Sequence, residues 1–241
     1  MRLLVSVFNN SEARAALEGG ADIIDAKDPQ QGALGAVSLD VFRRIRASVG
    51  NAVPVSAALG EAAHEAAIEA MAREFAIAGA AFVKIGFAGI SDTARARLLL
   101  AAAVRGAPTK VVAVTYADRQ GELSFIRLLD VGSTVGASGI LIDTCEKSGP
   151  GLRHLIDAAT LSAWISAASD AALTVAAAGK LTIDDLDWVR DCGADIAGVR
   201  GAACEGGRTG RVTAERVRLL QLKTQNSKLK NRTSTQYENA S

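Results

Sequence analysis

The stretch RLLVSVFNNSEARAALEGGADIIDAK, residues 2–27, contains one complete example of the pattern that decides the fold. It opens with the apolar run RLLVSV (2–7) and continues into an alanine-rich segment of helical period. That segment stops at Gly19 and Gly20, and a second apolar run, DIIDAK (22–27), follows. Short apolar runs rich in β-branched residues predict strands, and glycine commonly follows the end of a helix. The stretch therefore predicts a strand, a helix and a second strand.

This β/α unit is repeated along the chain. Glycine followed by a small or acidic residue also precedes two later strand candidates, at 79–81 and 193–195. Beyond the first two, strands are predicted at 54–59, 82–87, 110–116, 139–144, 173–179 and 196–201, with helical segments between them. Eight such units favour a single TIM (β/α)₈ barrel. A doubly wound open sheet is the alternative, but the first turn, VFNNSEA, lacks the G-x-G-x-x-G sequence typical of that fold.

The end of the chain differs in composition from the rest. We expect the barrel to occupy residues 1–222 as one catalytic domain. The remainder, KTQNSKLKNRTSTQYENAS (223–241), is polar and has no apolar periodicity. A segment of this kind buries too little apolar surface to fold by itself, so it predicts a short, flexible C-terminal tail.

Composition narrows the possible partners and cofactors. The 27 Lys and Arg residues nearly balance the 26 Asp and Glu residues, so nothing predicts a nucleic-acid or membrane partner. Three widely separated cysteines predict neither a disulfide framework nor a zinc site, and both histidines lie in helical segments, so no metal is expected. No apolar run approaches the roughly 18 residues of a spanning helix, and we expect a cytoplasmic protein. The sequence is compatible with a monomer and with a homo-oligomer.

Charged residues fall at the predicted strand ends, where TIM barrels carry their chemistry. Asp25 and Lys27 share one face of the second strand, Lys84 interrupts the fourth, and Asp143 ends the sixth with Lys147 in the loop beyond. Burial and crowding of ammonium groups lower the pKa of a lysine. A neutral lysine can attack a carbonyl to form a Schiff base, and nearby carboxylates can transfer protons. The alternative for these residues is a set of structural ion pairs or solvated charges.

The loops after the seventh and eighth predicted strands indicate a phosphate site. TIM barrels often bind phosphate through backbone N–H groups of these two loops. The candidate phosphate-binding residues are Gly179, Lys180, Arg200, Gly201 and Ala202. Arg208 is a further source of positive charge. The alternative is that the glycines only form turns.

The motifs DIIDAKDP, VKIGFAG, VTYAD, LIDTCEKSG and VRGAAC together resemble the (5-formylfuran-3-yl)methyl phosphate synthase family, also called 4-(hydroxymethyl)-2-furancarboxaldehyde-phosphate synthase. The resemblance extends from Met1 to Leu222. It implies a barrel lyase that condenses two molecules of glyceraldehyde 3-phosphate, with loss of phosphate and water, in methanofuran or methylofuran biosynthesis. A small-molecule substrate, this triose phosphate, is the only partner that it implies, and it implies no cofactor.

The resemblance also implies residue roles. By motif, Lys27 is the Schiff-base lysine and Lys84 is the proton acceptor, while Asp25, Asp143 and Lys147 are the other charged residues of the site. Two alternatives stay open. One is a Schiff-base (class I) aldolase that acts on another phosphorylated sugar. The other is a non-catalytic barrel that binds a phosphorylated metabolite.

Overall fold

Parallel strand pairing runs from the first strand to the eighth and then back to the first. The computed structural model of the protein describes residues 1–225. Its barrel strands are β1 (Arg2–Val7), β2 (Ile23–Ala26), β3 (Val55–Glu61), β4 (Val83–Gly86), β5 (Val111–Tyr116), β6 (Gly139–Asp143), β7 (Thr174–Ala177) and β8 (Ile196–Val199). Arg2 pairs with Ile196, which closes the barrel. The predicted single TIM (β/α)₈ barrel is confirmed.

A helix follows each barrel strand. The helices are α1 (Asn10–Glu18), α2 (Leu39–Val49), α3 (Glu65–Ile77), α4 (Thr93–Gly106), α5 (Phe125–Val135), α6 (Ala158–Asp170), α7 (Asp185–Asp191) and α8 (Ala214–Gln225). Polar side chains fix several of their starts. Asn9, Ser38 and Ser124, for example, each accept a hydrogen bond from a backbone N–H in the first turn. Such caps satisfy N–H groups that have no partner within the helix.

Two segments depart from the sequence-based expectation. Between β6 and β7, where one helical segment was expected, the chain forms a short 3₁₀ turn (Leu152–His154) and then α6, because Asp157 caps α6 by accepting from the N–H of Thr160. After β8 the chain forms a second 3₁₀ turn (Gly201–Ala203). A small hairpin of β9 (Cys204–Glu205) and β10 (Arg211–Val212) then precedes α8. This hairpin lies beside the barrel mouth and was not predicted.

Apolar residues form two separate layers because side chains alternate along each strand. On β2, Ile24 and Ala26 face the helices, whereas Ile23 belongs to a smaller cluster inside the barrel. Asp25 shares the inward face with Ile23. The inner apolar cluster therefore lies beneath polar groups that face the C-terminal mouth of the barrel.

Helix α8 extends past the boundary expected for the tail. Lys223, placed in the tail by the sequence, forms an ion pair with Asp187 at 3.0 Å, and Thr224 is buried in the helix. The rest of the predicted tail, 226–241, lies outside the described residues. Among the helices of residues 1–225, none has the length and apolar character needed to cross a bilayer.

Packing between α2 and α3 provides a test of the outer layer. The rings of Phe42 and Phe75 are buried, with centroids 5.1 Å apart. We expect Phe42→Ala to lower the free energy of unfolding by about 3–5 kcal/mol, because it removes a buried ring and leaves a cavity. Urea denaturation followed by circular dichroism measures this loss. Ile77→Ala, at an α3 position that is 80% exposed, is the control and should change stability by less than about 0.5 kcal/mol. Similar losses in both variants would contradict the described packing.

Candidate active site

The first element of the site is a buried ion pair between β2 and β4. Asp25 Oδ2 lies 2.5 Å from Lys84 Nζ, and neither side chain has appreciable solvent exposure. The same carboxylate accepts hydrogen bonds from Ser6 Oγ on β1 at 2.9 Å and from Ser56 Oγ on β3 at 2.8 Å. Four successive strands therefore hold one carboxylate and one ammonium group in a fixed arrangement, and the hydrogen bonds offset part of the cost of burying the charges.

The second element is a lysine–carboxylate pair at the end of β6. Asp143 Oδ1 accepts hydrogen bonds from Lys147 Nζ at 2.9 Å and from the N–H of Thr144 at 2.7 Å. Lys147 also donates to the backbone oxygen of Thr144. Burial by itself would raise the pKa of Asp143, but Lys147 and Lys27 hold it below its ordinary value. Asp143 is therefore a carboxylate at neutral pH.

Lys27 lies near both pairs and differs from the other two lysines. Its backbone N–H donates to Val7 O at 2.9 Å, which continues the β1–β2 pairing, and the residue is only 8% exposed. Within residues 1–225 its Nζ takes part in no ion pair. Burial lowers the pKa of Lys27 to about 8, with Asp143 opposing the shift and the positive charges of Lys84 and Lys147 adding to it. About one amine in ten is then neutral at pH 7, compared with roughly one in 2,500 for an ordinary lysine.

The three lysines border a cavity of about 750 Å³. This volume falls within the usual range for small-molecule sites. Below the lysines the cavity continues along the barrel axis toward the N-terminal ends of the strands. Its walls there are formed by Leu4, Val112, Leu141, Ala176 and Ile196. The site thus has a charged mouth above an apolar interior.

The loop after β7 is docked against the loop after β6. Gly179 has a φ of +103°, and a Cβ at this position would lie 3.0 Å from Thr144 Cγ2, so a larger residue would be both strained and crowded. Gly179 O accepts from the N–H of Leu152 at 2.9 Å, and Lys180 Nζ donates to Gly149 O. Gly179 and Lys180 therefore line the same cavity as the lysines.

The loop after β8 completes this side of the cavity. Gly201 and Ala202, in the second 3₁₀ turn, also line it. With Arg200, which also lines it, all five candidate phosphate-binding residues reach the cavity. Phosphate binding by these residues stays a prediction.

The side chain of Arg200, the fifth candidate, is fully engaged within the protein. Its Nε donates to Arg208 O, its Nη1 to Ser6 O and Glu12 Oε2, and its Nη2 to Glu12 Oε1 and Gly210 O. These five contacts use all five N–H donors of a guanidinium group. In this structure the side chain ties β1, α1 and the hairpin together, and phosphate binding by Arg200 stays a prediction.

The loop after β2 covers the mouth of the barrel. The sequence analysis did not predict this cover. The loop closes on itself, because the N–H of Asp28 donates to Gly35 O at 2.8 Å and the Asp28 carboxylate accepts from the N–H of Gln30. Ala33 and Leu34 fold back into the inner apolar cluster, and Leu34 lines the cavity together with Lys27. The sequence feature that could have predicted this cover is the adjacent apolar pair, Ala33 and Leu34, within a turn-rich loop. This cover contributes to the burial that lowers the pKa of Lys27.

A tyrosine–glutamate pair at the ends of β5 and β3 was also missed as a site feature. Tyr116 Oη donates to Glu61 Oε1 at 2.5 Å, and Glu61 Oε2 accepts from the N–H of Ala88 at 2.9 Å. Burial, followed by the charge of Glu61, raises the pKa of Tyr116, so the phenol keeps its proton. A Cβ at Gly86 would collide with both side chains, which explains the glycine in VKIGFAG.

This arrangement provides one nucleophilic amine and two fixed lysine–carboxylate pairs. Asp25 and Asp143 are each committed to one lysine, which leaves Lys27 to face the cavity with a lowered pKa. An amine of this kind can form an iminium ion with an aldehyde or ketone, and the pairs can transfer protons. In the described part of the chain, no three His, Cys, Asp or Glu side chains are grouped as metal ligands would be.

Comparison with known proteins adds family information. The family model for 4-HFC-P synthase matches residues 3–221. A (5-formylfuran-3-yl)methyl phosphate synthase from Methanothermobacter thermautotrophicus is 36% identical over 229 residues, covering 91% of this chain and 97% of the relative. Another, from Methanopyrus kandleri, is 38% identical over 218 residues, covering 87% of this chain and 92% of the relative.

Solved structures with similar folds carry other activities. A 3-hexulose-6-phosphate synthase superposes with a TM-score of 0.61 at 23% identity, covering 91% of this chain and 99% of that one. An orotidine 5'-phosphate decarboxylase from Pyrococcus horikoshii has a TM-score of 0.65 at 17% identity, covering 92% of this chain and 98% of that one. At these identities the likeness shows the barrel fold alone.

The electrostatics of Lys27 can be tested with Asp143→Asn. Asp143 is the main group that opposes the lowering of the Lys27 pKa, so its neutralisation should move that pKa below 8. Acetylation of Lys27, followed by peptide mass analysis across pH 6–10, measures the midpoint of its titration. Asp130→Asn, on the exposed face of α5, removes the same charge far from the mouth and should leave the midpoint unchanged. A midpoint for Asp143→Asn equal to or above the wild-type value would contradict the described arrangement.

Proposed function

Because the chain belongs to the 4-HFC-P synthase family, we propose that it condenses two molecules of glyceraldehyde 3-phosphate into (5-formylfuran-3-yl)methyl phosphate. One phosphate and two water molecules leave for each pair of trioses. The observation that carries the proposal is the buried Lys27 amine, without an ion-pair partner in residues 1–225, beside two lysine–carboxylate pairs. We place the reaction in methanofuran or methylofuran biosynthesis, as the family resemblance implies.

In the first step, neutral Lys27 Nζ attacks the aldehyde carbon of one triose. Loss of water gives an iminium ion, whose positive nitrogen withdraws electrons from the adjacent carbon and acidifies its C–H bond. The same electron withdrawal allows carbon–carbon bond formation with the second triose. Water later attacks the iminium carbon and releases Lys27 as the free amine, so no external oxidant or reductant is needed.

The Asp25–Lys84 pair supports the proton acceptor role proposed for Lys84. With 2.5 Å between Nζ and Oδ2, a proton can pass from Lys84 to Asp25. The neutral Lys84 amine then accepts a proton from the substrate carbon. Uptake of that proton leaves the pair with one more positive charge than before, and the charge is lost again when the pair passes the proton to a departing hydroxyl group.

The Asp143–Lys147 pair is suited to the elimination steps. The Asp143 carboxylate can accept a proton from a substrate hydroxyl, and the Lys147 ammonium can stabilise negative charge that develops on a departing oxygen. Backbone N–H groups near Gly179, Gly201 and Ala202, with the Lys180 ammonium, are proposed to hold a phosphate group.

Product analysis tests the proposed reaction directly. Purified protein incubated with glyceraldehyde 3-phosphate alone should give a product of the furan phosphate's mass with the near-ultraviolet absorbance of a conjugated furaldehyde. Released phosphate should equal half of the triose consumed. An acyclic sugar phosphate with no phosphate release would instead indicate an aldolase. Binding of the triose without turnover would indicate a non-catalytic barrel.

The Schiff-base role is tested by comparing Lys27→Met with Lys110→Met. Borohydride added during turnover should trap a triose adduct on the Lys27 peptide of the wild type. Lys27→Met should lose activity by about 10³-fold or more, as removal of a covalent nucleophile generally does. Lys110 lies at the opposite end of the barrel and donates to Ala80 O, so Lys110→Met should keep activity within about twofold. Full activity in Lys27→Met would rule out this role.

A further inference from the structure

Three cations that line the cavity are neutralised by carboxylates. Lys84 is paired with Asp25 and Lys147 with Asp143, as described above. Arg200 forms a two-pronged pair with Glu12, whose shorter contact is 2.7 Å. These cations therefore add little net positive charge to the mouth.

Arg208, in the hairpin loop between β9 and β10, is different. It lines the same cavity as Lys27, and within residues 1–225 no carboxylate lies within 4.0 Å of its guanidinium. Its Nη1 donates to Pro29 O and its Nη2 to Gly32 O at 2.6 Å, and both acceptors are neutral carbonyls of the loop after β2. Asp28, the carboxylate of that loop, accepts hydrogen bonds from the loop's own residues instead.

Arg200 and Arg208 therefore differ in how many of their N–H donors have an acceptor in the protein. Arg200 uses all five of its N–H groups within the protein. Arg208 uses two, so three of its N–H donors have no acceptor within residues 1–225. Asp143 and Asp28 lie close enough to act on the charge of Arg208, but neither forms an ion pair with it. A guanidinium with free donors and no ion-pair partner in residues 1–225, facing a cavity, is suited to bidentate binding of a phosphate group.

Arg208 and Lys180 lie on different sides of the mouth. Lys180 extends from the loop after β7 toward Gly149, in the loop after β6. Arg208 extends from the hairpin after β8 toward the loop after β2. Because the strands follow one another around the barrel, these two side chains point away from each other along the rim. One phosphate group held near Lys180 would leave the free donors of Arg208 available to another.

We propose that the Arg208 guanidinium forms a second phosphate subsite beside Lys27, on the side of the mouth next to the loop after β2, whereas the first subsite lies on the side of Lys180. This inference rests on the proposed function, in which two trioses with one phosphate each occupy the cavity together. Its ligand class is the phosphate monoester of a short aldehyde or ketone. Anchoring the two phosphates at Lys180 and Arg208 directs both carbonyl ends toward the lysine cluster. Each triose is thereby oriented before Lys27 reacts.

Titration with inorganic phosphate, followed by isothermal calorimetry, tests the subsite without requiring turnover. The wild type should bind two phosphate ions per chain, and Arg208→Gln should bind one. Arg208→Lys keeps the charge but loses the planar fork, so it should bind two, the second about tenfold more weakly. Arg127→Gln, an exposed position on α5 that has no ion pair among the described residues, is the matched control and should bind two. Thermal unfolding verifies that each variant is folded.

Kinetics supply a second readout. Arg208→Gln should raise KM for glyceraldehyde 3-phosphate by about 10- to 100-fold, the effect of losing a charge-assisted phosphate contact, while Arg127→Gln stays within about twofold. Binding of two phosphates by Arg208→Gln with wild-type affinity would overturn the subsite, as would binding of only one by the wild type. Either result would leave the proposed function standing if the furan product is still made. A wild type that binds two phosphates but makes no furan would overturn the proposed function instead.

Discussion

The close contact between Asp25 and Lys84 is the constraint on which the mouth of the barrel depends. The pair replaces the apolar side chains that usually fill this layer of a TIM barrel, and hydroxyl groups from β1 and β3 complete the hydrogen bonding of the carboxylate. Loss of either partner would leave a buried charge, at a typical cost of about 3–5 kcal/mol. With Lys84 fixed in this way, its positive charge stays near Lys27 and helps to lower the pKa of that amine.

The lowered pKa of Lys27 also depends on residues that take no part in proton transfer. Leu34 covers the mouth from the loop after β2, and Arg208 binds two carbonyls of that loop from the hairpin after β8. Arg200 in turn holds the hairpin against Glu12 and β1. Exclusion of water at Lys27 is therefore produced by a chain of contacts that runs through three loops. A change in any of these loops alters the reactivity of the lysine without touching it.

Much of the fold follows from local patterns in the sequence. The alternation of short β-branched runs with alanine-rich helical segments predicted all eight barrel strands. The position of Asp25, Lys84 and Asp143 on those strands brought them to one end of the barrel. Local patterns do not show which residue, distant in sequence, will contact a given side chain. The pairing of Arg200 with Glu12, 188 positions away, is an example, because nothing near either residue in the sequence indicates it.

The boundary errors have a similar origin. The hairpin formed by β9 and β10 has strands too short for an alternating pattern to reveal. The polar residues Lys223 and Thr224 gave the appearance of a tail, yet their contacts with Asp187 and Gln221 keep them in α8. In both regions long-range packing overrode local composition.

The cavity that continues below the lysines has a consequence for the mechanical behaviour of the barrel. Small side chains at Ala58, Ala176 and Gly198 on the inward faces leave part of the axis unfilled. Unfilled volume disappears when a chain unfolds, so the partial molar volume falls, and hydrostatic compression shifts the equilibrium toward the unfolded state. A barrel with this unfilled axis is therefore expected to unfold at a lower pressure than one whose interior is filled by side chains.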